Sequence, residues 1–445
     1  MTTSDPDTRY HDLPPAAADL YRRLGALFAT PVDTTLATAV TGLPRAETED
    51  ALAALTSAQL IDPTDADVNH STLYQLRDHT HAATKFAENA TADRAEVLRR
   101  ALDHLLDTTS RAERRLTPTH RPLTRDYLYP PAEPVRFDTD EDALGWLRAH
   151  RHTLRSAVTA AEAAGIDSMV WQLTHALWPL LRADHDYPLW DTTHQVALGA
   201  ARRCGSRVAE VEILGTWAVG LRSTGRHTDA IEVFDQVLRL ARTYDDPRTE
   251  AQAFHELGAT HLAAGRPQEA ESLLLQARSR RTALMRQAEA DGDADTERTF
   301  RRGVGITEVC LGEAQILQGR ASEAVVTLTS ARTTLLTVPD ALDTARALAR
   351  LGRAHALNGN HDQGEQYGQQ AVAEFDRTGS GRWQARGREL LGQTLQEAGR
   401  PEDARRLYQE AVNRHTTPSD RADRARVLQR LGTLPTTEGD GNDSI

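Results

Sequence analysis

The sequence predicts an all-α fold in which most of the chain is an array of helical repeats. Leu-Gly pairs recur every 40 residues, at Leu311-Gly312, Leu351-Gly352, Leu391-Gly392 and Leu431-Gly432. In the first three, another Gly follows seven residues later, and small residues then alternate with apolar or further small ones. Aromatic residues make up only 5% of the chain, which suits helices that pack through small side chains. Regular marks of this kind indicate stacked helix pairs.

Composition limits the classes of function. A chain of 445 residues suffices for two or three domains, and a net charge of -12 argues against a large nucleic-acid-binding face. No apolar run is long enough to cross a bilayer, so we expect no membrane partner. The N-terminus lacks the basic and apolar regions of a signal peptide. Cys204 and Cys310 are the two cysteines, too few for a disulfide framework, and they favour a reducing, cytoplasmic location.

The N-terminal part predicts a mobile tail and then a small folded unit. Residues 1–12 are polar and are expected to be disordered. Residues 13–89 predict a winged-helix-like domain of three helices and a hairpin. Its elements are a helix that opens after Pro14-Pro15 and is spaced by Leu20, Leu24 and Leu27, a second at 36–40, a third at 44–60, and a returning strand at 73–76.

Charge disfavours DNA binding by this domain. A DNA-reading third helix needs basic or amide side chains, because phosphate repels carboxylates. Here the third helix and the turn after it carry Arg45 together with Glu47, Glu49, Asp50, Asp62, Asp65 and Asp67. We therefore favour docking to a protein and keep DNA binding as the disfavoured alternative. The predicted docking residues are Arg45, Glu47, Glu49, Arg77 and Asp78.

Residues 90–165 predict a helical spacer with a proline-rich connection at 117–136. The first spacer helix covers 90–116, and the second begins at the caps Asp138 and Thr139 and runs to Gly165. The repeat array is expected over 166–434, opened by a degenerate unit that contains Trp190. Residues 435–445 are expected to be a disordered tail.

One repeat is longer than the others. Gly258 and Gly312 are 54 residues apart, a surplus of 14 residues over the usual interval. Divided between two helices, the surplus predicts that each is about two turns longer, with the tip at residues 291–295. The acidic tip does not fit a calcium loop, because its sixth and twelfth positions are Thr296 and Arg302.

Other histidines and cysteines predict no metal or catalytic site. The pairs His79/His81 and His150/His152 are spaced i, i+2, so on a helix their side chains point apart, and we expect them to be exposed or capping residues. Cys310 is expected to pack in the core. No nucleophile–base motif or paired-carboxylate site is recognisable, so we expect neither an enzyme nor a bound cofactor.

The turn segments resemble the tetratricopeptide repeat (TPR) pattern. Gly265-Arg266-Pro267-Gln268-Glu269-Ala270 and Gly399-Arg400-Pro401-Glu402-Asp403-Ala404 match its turn and the start of its second helix. Each unit here is about six residues longer than the usual 34. The resemblance implies a right-handed superhelix whose concave surface is lined by the first helix of every pair.

The chain as a whole, from about residue 13 to residue 434, also resembles the C-terminal half of AfsR-like signal-transduction ATPases. The segments that carry this resemblance are Leu13-Pro14-Pro15-Ala16-Ala17, Tyr74-Gln75-Leu76-Arg77-Asp78, Ala143-Leu144-Gly145-Trp146-Leu147, Trp171-Gln172-Leu173 and Ala176-Leu177-Trp178. The family has a nucleotide-sensing His where this chain has Arg77. Lys85 stands in Ala-Ala-Thr-Lys-Phe, outside any phosphate-binding loop, so we expect no ATPase activity.

The repeat register predicts a ligand face. With the Leu-Gly glycine as position 8, positions 2, 5, 9, 12 and 13 face the concave surface. They include Glu212, Arg222, His255, Glu313, Arg346, Arg353, Arg386, Glu389, Gln393, Gln396 and Arg426. Arginine forks bind carboxylates and phosphates, so we expect an acidic peptide or another anionic ligand between residues 346 and 426. The competing interpretation is an ordinary solvated, arginine-rich helix face.

These features together predict a non-catalytic regulator or adaptor that binds a protein or peptide partner. The family resemblance implies a role in transcriptional or biosynthetic-cluster regulation. Three alternatives stay open: a pheromone-type receptor for a peptide or small ligand, a split subunit of a signal-transduction ATPase, and an accessory protein of a biosynthetic enzyme. Self-association into a homo-oligomer is likewise left open.

Overall fold

The computed structural model describes residues 5–68, 71–89, 93–338, 340–377, 381–415 and 420–435. In these ranges the chain forms 22 helices and one two-stranded hairpin, which confirms the predicted all-α, helical-repeat class. The chain divides after Trp217 into two compact units. Within the described ranges, no helix combines the length and the apolar character that a bilayer span requires.

The first unit begins with small helices and a hairpin. Its elements are α1 (Pro6–His11), α2 (Pro15–Gly25), α3 (Thr34–Thr41), α4 (Arg45–Ser57), β1 (Ile61–Val68), β2 (Ser71–Leu76), α5 (His79–Glu88), α6 (Arg94–Leu116), α7 (Asp140–Ala149), α8 (Arg151–Ala163), α9 (Asp167–Ala176), α10 (Trp178–Asp184) and α11 (Tyr187–Arg203). β1 pairs antiparallel with β2, and Ile61 lies opposite Leu76. Three helices followed by a hairpin is the order that the sequence predicts for residues 13–89.

The predicted mobile tail is wrong for the residues just before this domain. α1 is helical, with a proline in its first turn, and Tyr10 near its end is buried. Arg22 donates to the Tyr10 hydroxyl at 2.9 Å, and Arg9 donates to the Gln59 carbonyl at 3.0 Å. The segment is therefore ordered by contacts that its polar composition does not reveal. Residues 1–4 of the predicted tail lie outside the described residues.

The spacer consists of helices on either side of an irregular connection. α6 ends at Leu116, and residues 117–139 form neither helix nor strand, as the five prolines predict. Thr139 caps α7 with a capping box. The sequence predicts a continuous second spacer helix, but the helix divides at His150. That residue is buried, its Nδ1 contacts the Trp146 carbonyl oxygen at 2.9 Å, and its Nε2 lies 3.3 Å from Asp33.

The burial of His150 contradicts the expectation that this histidine is exposed or only caps a helix. His79 and His81 are also partly buried. The Nε2 of His79 lies 3.0 Å from the Leu27 carbonyl oxygen, and the Nδ1 of His81 lies 2.9 Å from the Tyr21 hydroxyl. His152 is exposed as expected. These three histidines are buried or partly buried and contact residues that are distant in the sequence. A local sequence pattern does not show such contacts.

The unit boundary lies later than the predicted start of the array at residue 166. α9 packs against α6 and α8, and α11 packs against α8 as well as α9. The degenerate opening unit therefore shares its core with the spacer. α12 (Arg207–Ser223) crosses the boundary between the two units.

The second unit is a series of helix pairs. Its helices are α13 (His227–Thr243), α14 (Pro247–Ala263), α15 (Pro267–Ala290), α16 (Ala294–Leu317), α17 (Ala321–Leu336), α18 (Ala341–Leu357), α19 (His361–Arg377), α20 (Gly381–Glu397), α21 (Pro401–Arg414) and α22 (Arg421–Gly432). α15 and α16 have 24 residues each, whereas α14 and α18 have 17. The 14 surplus residues are divided equally between α15 and α16, so the predicted extension of both helices by about two turns is confirmed.

The repeated glycines mark close packing inside each pair. A Cβ on Gly312 would lie 2.4 Å from the Cγ of Leu328 on the partner helix, so no larger residue fits there without movement. The glycines seven residues after each mark have positive φ, such as 72° at Gly265, which allows the tight turn into the second helix. Cys310 packs with Leu274 and Leu311, which confirms its predicted place in the core.

Candidate ligand-binding face

The first helices of the pairs lie side by side. α16 contacts α14 and α18, and α18 contacts α20. Side chains of α22 reach α20 directly, as Arg426 does to Glu389 at 2.9 Å. Residues at the same repeat position on neighbouring first helices therefore form rows across the unit. Arg346, Arg386 and Arg426, all at position 2, form such a row.

We define the arginine face as one set of paired side chains on these first helices, on the preceding α12 and at the N-cap of α18. It comprises nine arginines, Arg222, Arg302, Arg346, Arg350, Arg353, Arg382, Arg386, Arg426 and Arg430, and seven carboxylates that pair with them, Glu256, Glu313, Asp340, Asp343, Glu389, Glu397 and Asp423. This set has an excess of two positive charges, although the whole chain carries -12.

Two buried aspartates each join neighbouring first helices. Asp343 on α18 pairs with Arg346 of its own helix and with Arg302 of α16. Asp423 on α22 pairs at 2.6 Å with Arg426 and at 2.7 Å with Arg382 of α20. Burial raises the pKa of Asp343, but the two guanidinium groups outweigh this effect and lower it below its ordinary value.

Position 343 has no acidic counterpart on α20, where Trp383 stands instead. The guanidinium carbon of Arg346 lies 5.3 Å from the centre of the Trp383 ring, a cation–π contact. Trp383 in turn stacks on Phe375, with ring centroids 5.5 Å apart. Arg346 is thus held both by the buried carboxylate of Asp343 and by the Trp383 ring, whereas Arg426 is held by the buried carboxylate of Asp423.

Glu389 is the most heavily shared carboxylate of the face. Its side chain is completely buried, and it accepts from Arg426 at 2.9 Å, from Arg430 at 3.1 Å and from Arg386. Burial would raise the pKa of Glu389, but Arg386 and Arg426 hold it well below its usual range. One negative charge therefore serves three guanidinium groups, so the positive excess is concentrated around α20 and α22.

Some donors of the face have no protein partner among the described residues. Arg350 Nε pairs with Glu313 at 2.6 Å, and the Arg353 guanidinium lies 3.6 Å from Glu397. Yet Arg350 Nη1, Arg353 Nε and Gln393 Nε2 are buried without a hydrogen-bond acceptor in the described ranges. A buried donor without an acceptor costs free energy. The donor chemistry of this region is therefore only partly satisfied by the protein itself.

The structure places the predicted face residues at different depths. Arg222, Arg346, Arg353, Arg386 and Arg426 are partly exposed, each with at least one carboxylate partner. Three others, His255, Glu389 and Gln393, are buried.

His255 shows why depth matters. Its Nδ1 lies 3.3 Å from the Thr307 hydroxyl, and burial together with Arg281 lowers the pKa of His255 to about 3. Glu313 is half-buried, and despite that burial Arg350 and Arg386 lower the pKa of its carboxyl group. Of these two residues, Glu313 pairs directly with an arginine of the face, Arg350.

Sequence reasoning missed four members of the face and its aromatic support. Arg350 and Arg430 share repeat position 6, which is not one of the positions predicted to face the concave surface. Arg302 and Arg382 precede position 2 by four residues. An i, i+4 extension of the position-2 row would have identified the last two. No sequence signal identified Trp383.

The predicted docking residues of the first unit are exposed and internally paired. Arg45 pairs with Glu49 at 2.9 Å, and Arg77 donates to Asp62 from Nε at 2.7 Å. Glu47 is exposed, and Asp78 caps α5 by accepting from the His81 amide at 2.9 Å. The side chains of Asp65 and Asp67, counted in the charge argument, lie outside those that the structure describes.

A buried cluster in the first unit has ligand atoms close enough for a metal ion. Glu113, His120 and His175 place an oxygen and two nitrogens within 4.8 Å of one another. Arg125, however, lies 2.7 Å from the other Glu113 oxygen and 2.9 Å from His175 Nδ1. Its guanidinium supplies positive charge to this carboxylate, so the arrangement is an ion pair between α6, the proline-rich connection and α9. Arg125 Nη1, His120 Nε2 and His175 Nε2 are buried without a hydrogen-bond partner among the described residues.

Comparisons with known proteins bear on the repeats. The tetratricopeptide repeat family matches residues 210–283 and 343–417. A search of the curated proteins found no match. Among solved structures, the chain is similar to a signal transduction ATPase with numerous domains, a protein with a tetratricopeptide repeat sensor from Pyrococcus horikoshii. The two share 14% identity and a TM-score of 0.55 over 95% of this chain and 54% of that one.

Two further solved structures are similar over smaller parts. The apo form of RapI is 13% identical over 64% of this chain and 96% of its own, with a TM-score of 0.48. A thermophilic tetratricopeptide repeat protein of Thermus thermophilus is 20% identical over 49% of this chain and 99% of its own, with a TM-score of 0.33. This chain spans about half the length of the Pyrococcus protein, and at 14% identity that likeness shows the fold alone. The chain therefore carries tetratricopeptide repeats at residues 210–283 and 343–417.

Proposed function

We propose that this chain is a non-catalytic adaptor or regulator that binds an acidic protein or peptide segment on the arginine face. The observation that carries the proposal is the local charge excess around Glu389, where three partly exposed arginines share one buried carboxylate. Guanidinium groups keep spare N–H donors after pairing once, and these can bind a second carboxylate.

The charge distribution favours a partner that is acidic. The face has two more positive than negative charges in a chain of net charge -12, so it attracts anions that the remaining surface repels. The same distribution makes this face the favourable place for an acidic segment.

We extend the proposal to a cytoplasmic location, which the two unpaired cysteines support.

We propose a role in regulation because the sequence resembles AfsR-like ATPases at the residues named above. Similarity of fold alone would not support this role. In that context, we propose that the hairpin-containing domain docks to protein and that DNA is not its target. The exposed Glu47 and Glu49 and the pairing of Arg77 with Asp62 support this part.

Binding of a labelled glutamate-rich peptide, followed by fluorescence anisotropy, tests the proposal. We expect measurable affinity that falls as salt rises, because screening weakens exposed charge pairs. The double variant Arg386→Gln/Arg426→Gln should bind at least about tenfold more weakly, a loss of about 1.4 kcal/mol or more.

Arg406→Gln is the matched control. Arg406 lies on α21, the second helix of its pair, and its side chain is 68% exposed. Its loss should leave peptide affinity unchanged. Equal affinities of the double variant and the unaltered protein, with both folded by circular dichroism, would contradict the proposal.

A further inference from the structure

Three guanidinium groups of the arginine face converge on one buried carboxylate. Arg386 of α20 and Arg426 of α22 contact the same Glu389 oxygen, Oε2, at 2.5 Å and 2.9 Å. Their contacting nitrogen atoms are therefore at most about 5.4 Å apart, the sum of these two contacts. Arg430, one turn after Arg426, contacts the other oxygen of Glu389 at 3.1 Å. We call Arg386, Arg426 and Arg430 the arginine trio.

From this convergence we infer that the arginine trio binds one phosphoryl group, carried by a phosphorylated serine or threonine of the acidic segment. Three guanidinium groups around Glu389 leave an excess of two positive charges. Asp423 pairs with Arg426 but also with Arg382, so that carboxylate and that extra arginine leave the excess unchanged. A phosphomonoester carries about -1.5 to -2 charges at pH 7, whereas a carboxylate carries one. The inference rests on the proposed function, because it specifies the ligand of the same face.

One phosphoryl group can contact more than one member of the trio. Charge-assisted N–H···O contacts are about 2.7–2.9 Å long, so one anion oxygen can join two nitrogens up to about 5.6 Å apart. Arg426 donates to Glu389 and Asp423 through Nε, Nη1 and Nη2, which leaves two of its five N–H groups. The side chains of Arg386, Arg426 and Arg430 are 23%, 38% and 37% exposed, whereas that of Glu389 is fully buried. An anion therefore approaches from the side opposite Glu389.

Polar atoms next to the trio have no partner within the described ranges. Gln393 follows Glu389 by one turn on α20, and its Nε2 is buried without an acceptor. The His415 side chain is 1% exposed, and neither of its ring nitrogens has a hydrogen-bond partner among the described residues. Burial lowers the pKa of His415, and the charges of Arg426 and Glu389 are close enough to affect it too. The described part of the protein thus leaves hydrogen-bonding capacity unused around Glu389.

Three labelled peptides that differ only in their two central residues test the inference on the full chain. The centre is Ser-Ser, Glu-Glu or phosphoserine-Ser, and the flanking residues are rich in glutamate. Glu-Glu adds nearly the same charge as phosphoserine but divides it between two carboxylates. We expect the phosphoserine peptide to bind at least about fivefold more tightly than the Glu-Glu peptide in fluorescence anisotropy at pH 7.5, because one phosphoryl group accepts from several guanidinium groups.

Arg430→Gln should remove the preference for phosphoserine, because it takes one guanidinium group from the trio. Arg424→Gln is the matched control, since it removes the same charge from the same helix. Arg424 is exposed and precedes Arg426 by two residues, so their side chains point apart. The preference should persist in this control. Circular dichroism checks that both variants are folded.

Inorganic phosphate distinguishes the two sources of a phosphoryl group. We expect phosphate to displace the phosphoserine peptide more effectively than chloride at the same ionic strength, and Arg430→Gln to abolish this difference. If phosphate does so but the phosphoserine and Glu-Glu peptides bind equally, the trio binds a free phosphoryl ligand, and the peptide is overturned as its source.

The remaining outcomes separate the inference from the proposed function. Equal affinity for the phosphoserine and Glu-Glu peptides, with phosphate no more effective than chloride, would overturn the phosphoryl site and leave the acidic-ligand proposal standing. A preference that survives in Arg430→Gln, or that disappears in Arg424→Gln as well, would overturn its assignment to the trio. If none of these peptides binds and the glutamate-rich peptide does not bind either, the proposed function itself is wrong.

Discussion

At the scale of single residues, buried carboxylates organise the arginine face. Asp343 and Glu389 are almost completely buried, and each accepts from at least two arginines. A buried charge is tolerated only when it is paired, because desolvation costs more than any single surface pair returns. These residues therefore fix the arrangement of the guanidinium groups, and loss of either would leave its arginines without their shared counter-charge.

Asp343→Asn should destabilise the protein by about 3–5 kcal/mol, since it leaves Arg302 and Arg346 without their shared charge partner. Urea unfolding followed by circular dichroism measures the change. Asp295→Asn is the control, because the Asp295 side chain is 93% exposed, and it should change stability by less than about 1 kcal/mol. A comparable loss of unfolding free energy in both variants would show that the buried ion pairs contribute no more to stability than an exposed carboxylate does.

At the scale of elements, the Leu-Gly marks fix how closely the two helices of a pair approach. Gly312 faces Leu328 across the α16–α17 contact with no room for a Cβ. For the equivalent Gly432, near the end of α22, an added Cβ would meet no atom of the described residues within 4 Å. The same sequence mark therefore has a packing role only where a second helix covers it.

Gly312→Ala should lower the free energy of unfolding by about 1–3 kcal/mol, because the added methyl group overpacks the helix contact. Gly432→Ala, at the same repeat position, should be neutral or slightly stabilising, since alanine favours helix over glycine. Thermal unfolding of both variants measures the difference. A stabilising effect of Gly312→Ala would mean that α16 and α17 can separate at little cost.

At the scale of the whole molecule, each compact unit buries a neutral histidine. Burial lowers the pKa of His194 and of His255 to about 3 in each case. His194 contacts the Trp190 carbonyl oxygen at 2.9 Å and the Thr216 hydroxyl at 3.0 Å. In the unfolded chain these histidines take up a proton near pH 6.5, but in the folded protein they do so only near pH 3.

Stability should therefore fall as pH drops from 6.5 toward 4.5, because protons bind the unfolded state preferentially. Each of the two histidines contributes about 1.4 kcal/mol per pH unit once the pH is well below 6.5. Urea unfolding at pH 7.5, 6.0 and 5.0 measures the slope. His255→Asn should reduce the slope of stability against pH by the contribution of one histidine, about 1.4 kcal/mol per pH unit. An unchanged slope in that variant would show that His255 does not contribute to this pH dependence.

The sequence by itself determined the architecture of the second unit. The 40-residue interval, the turn glycines and the 14-residue surplus depend on local periodicity, so the helix pairs and the long α15–α16 hairpin could be read from them. Composition likewise identified the proline-rich connection. These features are local, and each residue's own neighbours along the chain suffice to specify them.

The tertiary structure alone decided which charges meet and how deeply they lie. Arg302 and Asp343 are 41 residues apart, and Glu389 reaches Arg426 and Arg430 on another helix. At the break between α7 and α8, His150 likewise lies 3.3 Å from Asp33, far away in the sequence. Burial and pairing arise from contacts between distant segments, and a periodic pattern places residues on a helix side without specifying what covers that side.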